Sequence, residues 1–474
     1  MCRHRWVVCA AAVLAGVSAA PEAAAQEAED GDLRLMQEPT SYTDVIDAFD
    51  EDDPFDLNIG LGFRFEKTQG TVQREHIVDD TLQRGAVAEW EHTRHILDLN
   101  LDVGLYEDVA LFVNMPVILS DDRSLRHADL GDEADHDALL TDPDGMGGQE
   151  QLFQLPFDSP TRSGLDHIGV GLAWAIMNQY RDSHLPTWLV MMEGLFNLGD
   201  ELNACNDDAR YDDNPTYTAE GEPDDKYDTR CNGGDDPGIS RGTVGLRAQT
   251  RASRRFRVAE PYMGLMFEIE WPGRADDLFA PAGDIDGFMN TMPPIEGEIT
   301  FGVAFVPWER KDRFQRLSID LRGSARYISE GRDYSPLFDA LGTSPSPQLR
   351  QPNYEGIPGA PGDQGRPTHY FGLSDVQAHG RYGGRILVDI RAARYVEFVL
   401  GAGLFYTTPH MITFTDACNP NASTDDPTGT GRRGKCSTGI INPHHRPGID
   451  LPGQRFQLNG AWTVDFQASA LARF

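Results

Sequence analysis

Long apolar runs are missing from this chain after its first 25 residues, where no 18 consecutive apolar residues occur. A membrane-spanning helix needs about 20 such residues, so the sequence predicts none in the mature protein. Positive charge is also scarce, because 41 Lys and Arg stand against 75 Asp and Glu and give a formal net charge of −34. A surface this acidic argues against nucleic acid as a partner, since phosphate backbones recruit lysine and arginine.

Cysteine is rare, with 6 residues in the whole chain. Two of the 6 lie in the first 25 residues, which have a basic start, an apolar core and three alanines at 23–25, and so predict a secretory signal peptide. The remaining cysteines are even in number in an exported chain, which favours disulfides and leaves three pairings open. We expect the local pairing, in which each bond closes one loop: Cys205 with Cys231 and Cys418 with Cys436.

Alternation of apolar and polar residues is what the chain has in abundance, most clearly at residues 455–474. This period of two marks a β-strand with a different solvent on each face. The stretch is longer than the roughly 9–11 residues that cross a bilayer. Its terminal Phe474 resembles the carboxy-terminal signature of bacterial outer-membrane barrels, which implies recognition by the barrel assembly machinery.

The same alternation recurs along the chain and predicts about twelve strands, with ten or fourteen also compatible. The predicted strands are 55–66, 94–106, 108–119, 166–179, 187–198, 242–252, 258–271, 295–308, 314–328, 370–391, 395–407 and 455–474. Their connections alternate between short turns and loops of about 20 to nearly 50 residues, as in barrels with tight periplasmic turns and long external loops.

An edge of sheet cannot be left open in lipid, so the strands must close into a barrel. The sequence therefore predicts an all-β fold, a closed antiparallel transmembrane β-barrel at residues 55–474, in the outer membrane of a Gram-negative bacterium. A soluble β-sandwich or propeller would explain neither the long strands nor the terminal aromatic. The acidic segment 26–54 is interpreted as a periplasmic tail or, alternatively, as a short plug or partner-docking segment around residues 42–49.

Charged residues occupy the polar faces of these strands, which the barrel turns toward its lumen. They are interpreted either as cross-strand ion pairs that support the wall or as a pore lining that orients a polar or amphipathic solute. The candidate pore-lining residues are Arg64, Asp98, Asp102, Arg247, Arg251, Glu268, Glu270, Glu296, Glu298, Arg316, Asp320, Arg322, Arg326, His379, Arg381, Arg385, Asp389 and Asp465.

Acidic residues are concentrated in the long loops, where a solvated surface is the simplest interpretation. Clustered carboxylates also suit Ca²⁺, although the full calcium-loop spacing is absent. Weak Ca²⁺ binding is therefore a hypothesis, and no other cofactor is predicted. The candidate ligands are Asp142, Asp144, Asp207, Asp208, Asp212 and Asp213.

Short motifs at strand ends carry one further signal. They are Gly164-Leu165-Asp166, Leu198-Gly199-Asp200 and Tyr106-Glu107-Asp108 leading to Met115-Pro116. This pattern, over about a third of the chain, is similar to the outer-membrane transporter family linked to the MetA pathway of phenol degradation. The family has a proline near the second strand end, where this chain has residues 196–197. The resemblance implies a barrel that handles hydrophobic solutes.

No enzyme is predicted. An outer-membrane phospholipase would need a paired His and Ser, but His444 and His445 lie in a Pro-rich loop and His379 lies on a lumen face, without a matched serine motif. We expect a passive channel for small solutes, hydrophobic or amphipathic ones included. The alternative is a closed structural or adhesion barrel whose acidic loops bind cations, surface polysaccharide or a partner. The expected partners are the solute, outer-membrane lipid, lipopolysaccharide and the assembly machinery.

Overall fold

The computed structural model describes residues 40–50, 53–128, 139–141, 151–205, 216–217, 223–224, 237–273, 278–280, 287–354, 367–420 and 440–474. Its long strands are β1 Leu57–Val78, β2 Thr81–Tyr106, β3 Val109–His127, β4 Ile168–Met177, β5 Thr187–Phe196, β6 Thr243–Ser253, β7 Ala259–Pro272, β8 Glu296–Arg310, β9 Gln315–Ile328, β10 His379–Ala393, β11 Val396–Thr407 and β12 Phe456–Arg473. No helix among the described residues is long and apolar enough to cross a membrane.

Each strand pairs antiparallel with its neighbours in sequence. The last strand, β12, pairs with β11 on one side and with β1 on the other. The sheet therefore closes on itself without an open edge, and the predicted closed barrel of twelve strands is confirmed.

Large apolar side chains cover the outer face of the barrel. On β12, Trp462 is 54% and Phe466 52% exposed, whereas Asp465 between them is 1% exposed. The same contrast runs along β4, where Leu172 and Trp174 point outward. Alternation thus sorts apolar residues to the outside and charged residues to the inside, which is the architecture of an outer-membrane barrel.

Short connections join the strand pairs at one end of the barrel, here called the turn end. They follow β2, β4, β6, β8 and β10, as predicted, at residues 107–108, 178–186, 254–258, 311–314 and 394–395. The opposite end, here called the cap end, carries the long loops. The exception is the connection after β1.

The long loop predicted between the first two strands was wrong. Both strands continue past the predicted ends and pair as far as Val78 and Thr81. Only Asp79 and Asp80 connect them, with φ values of 48° and 57°, as a two-residue hairpin of the type I′ class requires. This outer part of the hairpin has polar residues on both faces, so it lacks the alternation that revealed the other strands.

A second correction concerns β12. Phe456 was expected on the apolar, lipid-facing side, but it is fully buried with Leu458 in the core of the cap. The pairing with β1 shifts register between Leu458 and Ala461, next to Gly460 with its φ of 79°. A bulge adds one residue and therefore exchanges the two faces beyond it.

The loops at the cap end fold over the barrel as a compact cap. Its core contains Leu152, Phe153, Leu337, Leu341 and Phe456, all 0% exposed. Three short helices belong to it: α1 Phe338–Gly342, α2 Pro347–Arg350 and α3 Pro447–Asp450. Residues 370–378, predicted to begin the tenth strand, also lie in this cap, because β10 begins only at His379.

Candidate functional site

A cavity of about 460 Å³ lies inside the barrel, and arginine is the commonest residue in its walls. Its charged lining residues are Arg64, Glu66, Arg94, Arg247, Arg251, Glu298, Arg322, Arg326, Arg381 and Arg385. All but Glu66 and Arg94 were among the predicted pore-lining residues. Glu66 is the last residue of the first predicted strand and Arg94 is the first residue of the second, where the alternating pattern stops.

A smaller cavity of about 170 Å³ lies beside the first and shares Arg247 and Arg326 with it. The predicted residues Glu268, Glu270 and Glu296 line this second space. Asp166 is a fourth carboxylate of this space, and Arg241 is a third arginine, so its charges are nearly balanced, whereas the first cavity is lined by an excess of arginine.

Cross-strand ion pairs connect the lining residues to the wall. The Arg247 guanidinium lies 3.0 Å from the Glu193 carboxylate on β5 and 2.7 Å from that of Glu268 on β7. The Arg326 guanidinium on β9 makes two similar contacts with carboxylates of β8, at 2.9 Å to Glu296 and 2.7 Å to Glu298. Both predicted interpretations of the charges, a wall of ion pairs and a charged lining, therefore apply to the same residues.

Three predicted residues lie behind the cavity surface rather than on it. Asp98 accepts a hydrogen bond from Arg64 at 3.3 Å, and Asp465 accepts one from Arg385 at 2.5 Å. Asp320 accepts from Arg322 at 2.7 Å and also from the Tyr262 hydroxyl. Asp320 and Asp465 are 6% and 1% exposed, so they hold arginines in place and offer little surface to a solute.

Arg316 and Asp389 need a correction. They are 1% and 3% exposed and so are too buried to line an open lumen. They lie near the turn end, where Glu397 contacts Arg391 at 3.3 Å and Arg473 at 2.8 Å.

Two other predicted residues mark the ends of the lumen. Asp102 lies near the turn end of β2, opposite Asn58 of β1. At the cap end, the His379 ring stacks on the His410 ring with 3.8 Å between centroids. Burial, together with the neighbouring His379, lowers the pKa of His410 to about 4, so His410 is neutral near pH 7 and can take part in the stack.

The chain before β1 enters the turn end of the barrel, and residues 40–50 are here called the plug. On one side of the lumen, Thr43 hydrogen-bonds Ser253 at 2.5 Å, and the Thr40 amide donates to Glu260 at 2.9 Å. On the opposite side, Asp44 lies 2.5 Å from Arg473 of β12. Contacts with β6, β7 and β12 place the plug across the lumen.

Tyr42 is the central side chain of the plug and forms part of the cavity wall. Its ring stacks on Tyr262 with 4.1 Å between centroids. The guanidinium groups of Arg251 and Arg322 lie over the same ring, at 5.2 and 4.9 Å. Tyr42 of the plug therefore contacts Arg251 and Arg322 of the cavity lining directly. A substitution in the plug should shift these arginines, and a substitution of these arginines should loosen the plug.

Two glycines of the barrel wall make room for the plug. A Cβ atom at Gly104 would lie 1.7 Å from the Asp47 carbonyl oxygen, and one at Gly264 would lie 2.0 Å from the Tyr42 hydroxyl. Real Cβ contacts are never this short, so only glycine fits at either position while the plug is in place. Glycine within a strand often marks such a close approach.

The histidines considered for a phospholipase lie in the cap. His444 is 3% exposed and stacks on Phe288 with 4.0 Å between centroids. Burial and two nearby arginines hold the pKa of His444 well below its usual range. His445 uses Nδ1 on the Thr415 carbonyl at 2.8 Å. Neither ring is hydrogen-bonded to a serine among the described residues.

Several predicted residues lie outside the described part of the chain. These are Cys231, Cys436, Asp142, Asp144, Asp207, Asp208, Asp212 and Asp213. The pairing with Cys205 and Cys418, and the binding of Ca²⁺, therefore stay predictions.

Comparison with known proteins identifies similar barrels only at low identity. No family model and no curated protein matches the chain. An outer membrane channel from Pseudomonas putida F1 is 8% identical, with a TM-score of 0.37 over 92% of this chain and 99% of that one. The toluene transporter TodX of P. putida is 10% identical, with a TM-score of 0.29 over 94% of each chain. The outer membrane protease OmpT of Escherichia coli is 7% identical, with a TM-score of 0.29 over 88% of this chain and 96% of that one. Scores this low carry no argument about function.

Proposed function

We propose that this protein is an outer-membrane channel that passes small solutes through the barrel lumen and is closed at rest by the plug. The observation that carries the proposal is the polar cavity inside a closed barrel, with Tyr42 of the plug in its wall. A barrel wall needs an apolar outside, but it does not need an arginine-lined space inside. That space is most simply explained by a solute.

The lining favours polar or charged solutes. Guanidinium groups prefer carboxylate and phosphate partners. The resemblance to transporters of the phenol-degradation pathway implied hydrophobic solutes instead, and the polarity of this cavity does not support that choice.

A closed structural or adhesion barrel is the second candidate. It is favoured by the fact that the cap covers one end of the barrel and the plug crosses the other. The two candidates differ in whether four inward arginines, Arg322, Arg326, Arg381 and Arg385, line the lumen or pair across it. All four line the cavity, although three of them also pair with carboxylates of the wall, and this supports the channel.

Liposome swelling and planar-bilayer recording would test the channel. The purified full-length protein should pass small solutes, and a variant lacking residues 40–50 should pass them faster because the plug is gone. Heat-dependent gel mobility would show that both proteins are folded. If neither protein conducts or swells liposomes, the channel is excluded and the structural barrel takes its place.

A further inference from the structure

The main cavity reverses the charge balance of the chain. Acidic residues outnumber basic ones by 75 to 41 overall, whereas the cavity is lined by eight arginines and two glutamates. A space enclosed by low-dielectric walls and lined by one sign of charge attracts ions of the other sign. The lining therefore selects for anions, although the chain as a whole would repel them.

Wall carboxylates do not exhaust the hydrogen-bonding capacity of these arginines. Each guanidinium has five N–H donors, and one bidentate carboxylate uses two of them. Arg385 illustrates this arrangement, because Nε and Nη2 both donate to the buried Asp465. Its carboxylate partner lies in the wall while Arg385 itself lines the cavity, so further N–H groups are available to a solute.

Two of the eight arginines, Arg251 and Arg381, have no carboxylate partner among the described residues. Arg251 donates to the Tyr42 carbonyl at 3.3 Å and to Gln249 at 2.8 Å. Arg381 lies over the Phe405 ring at 4.8 Å, and its Nε is buried without a hydrogen-bond acceptor in the described part of the chain. Both side chains are only partly exposed, and a partly desolvated charge without a counterion is costly, so both groups are suited to an external anion.

The walls leave room for a small molecule beside these groups. Thr300, Ser324 and Gly384 are small residues on three neighbouring strands of the lining. The cavity volume of about 460 Å³ falls in the range of about 300–1,000 Å³ that is typical of small-molecule sites.

From these observations we infer that the cavity binds a small solute through its oxyanion, a carboxylate or phosphate group, and that Arg251 and Arg381 are the principal binding residues. The inference rests on the proposed function, since it names the solute class of the same lumen. The Arg381 guanidinium, which lines the cavity without a carboxylate partner among the described residues, would donate to a carboxylate or phosphate oxygen. Bidentate contact with a guanidinium explains why arginine rather than lysine is used.

Calorimetry on the full-length protein in detergent would test the site directly, with benzoate, inorganic phosphate and neutral benzamide as probes. Benzoate or phosphate should bind, and benzamide should not. Arg381→Gln and Arg251→Gln should each weaken binding about tenfold or more, because each removes charged hydrogen bonds. Arg381→Lys should fall between, since it keeps the charge and loses the bidentate contact.

A matched control is Arg126→Gln. Arg126 pairs with Asp158 at 2.6 Å, and its side chain is 50% exposed outside the cavity. Affinity should not change in this variant, and circular dichroism would show that every variant is folded. Benzamide binding as well as benzoate, or undiminished anion binding in both Gln variants, would overturn the site. Preference between benzoate and phosphate would show which oxyanion the cavity is shaped for.

Bilayer recording in a salt gradient separates this inference from the proposed channel. Anion binding without conductance would retain the site and exclude the channel. Conductance without anion preference, together with no anion binding, would retain the channel and exclude the site. Anion-selective conductance that Arg381→Gln reduces would support both.

Discussion

The cap end and the turn end of this barrel carry different kinds of structure. The cap buries large apolar side chains in a common core and resembles the interior of a soluble protein. The plug has smaller apolar contacts, the stack of Tyr42 on Tyr262 and the packing of Val45 against Ala175 and Leu189. Its other contacts are mostly hydrogen bonds and the ion pairs of Asp44 and Asp47. Apolar burial is a large stabilising contribution, whereas single polar contacts contribute little net free energy each. The comparison favours the cap as the stable part of the structure and the plug as the part that can leave the lumen.

The largest loss of stability is expected when a buried charge in the cap loses its ion-pair partner. Arg162 and Asp339 pair at 2.6 Å with side chains 0% and 2% exposed. Asp339→Ala would leave Arg162 buried without its carboxylate, at a cost of about 3–5 kcal/mol. Cap loops should then become sensitive to trypsin and exchange amide hydrogens faster.

The matched control for that change is Asp158→Ala. Its pair with Arg126 has the same 2.6 Å separation but side chains 67% and 50% exposed, so the loss should be at most about 1 kcal/mol. Equal proteolytic sensitivity in the two variants would contradict the view that the cap is packed and stable.

A smaller loss of stability, together with faster transport, is expected from Tyr42→Ala in the plug. The change removes the stack on Tyr262 and the contacts of two guanidiniums with the ring, together worth about 1.5–3 kcal/mol. Release of the plug should increase about tenfold or more, and liposome swelling should accelerate. Tyr327→Ala, on the outer face with 60% exposure, is the control and should change nothing. Similar swelling rates for the two variants would contradict the role of Tyr42 in holding the plug.

Steric pressure from the wall should also displace the plug. In Gly264→Ala the new methyl group would meet the Tyr42 hydroxyl at 2.0 Å, whereas in Gly297→Ala it would meet only the Met266 carbonyl at 3.9 Å. Bilayer recordings should therefore show a larger open fraction for the first variant alone, by several-fold if the clash costs about 1 kcal/mol. An unchanged open fraction in Gly264→Ala would mean that the plug does not limit conduction.

The smallest increase in the open fraction is expected from Asp44→Asn. Arg473 would lose a carboxylate at 2.5 Å but keep Glu397 at 2.8 Å, so its charge stays compensated and the plug loses about 1 kcal/mol. The open fraction should rise less than in Tyr42→Ala. A rise larger than that of Tyr42→Ala would show that the ion pair, rather than the stack, holds the plug.

Much of the barrel could be predicted from the sequence because lipid and water impose opposite requirements on alternate residues. This is why β12 and the inward direction of Arg322, Arg326 and Arg385 were predicted from the chain alone. The outer half of the β1–β2 hairpin packs one face against the cap, where it buries charged residues such as Arg74 and Glu75 as well as apolar ones such as Val72. This part of the hairpin therefore leaves no such pattern. Phe456 was assigned to the wrong side because one inserted residue near Gly460 reverses the alternation.

The site itself was predicted only in part. Sequence spacing says that an arginine points inward, but it does not give the register that decides which carboxylate meets it. Arg381 and Arg385 look equivalent in the sequence, yet Arg385 pairs with Asp465, and the described residues offer Arg381 no such partner. The role of Tyr42 depends on Gly264 and Tyr262, more than 200 positions away in the sequence, and no local pattern indicates it.

The central claim is that the lumen conducts when the plug leaves it, and a reversible lock tests this most directly. Thr43 and Ser253 lie with their hydroxyl oxygens 2.5 Å apart, close enough for a disulfide in the double variant Thr43→Cys, Ser253→Cys. Conductance should vanish when this variant is oxidised and return when it is reduced, while the wild-type protein under the same reductant stays unchanged. Equal conductance of the oxidised and reduced forms would contradict the account.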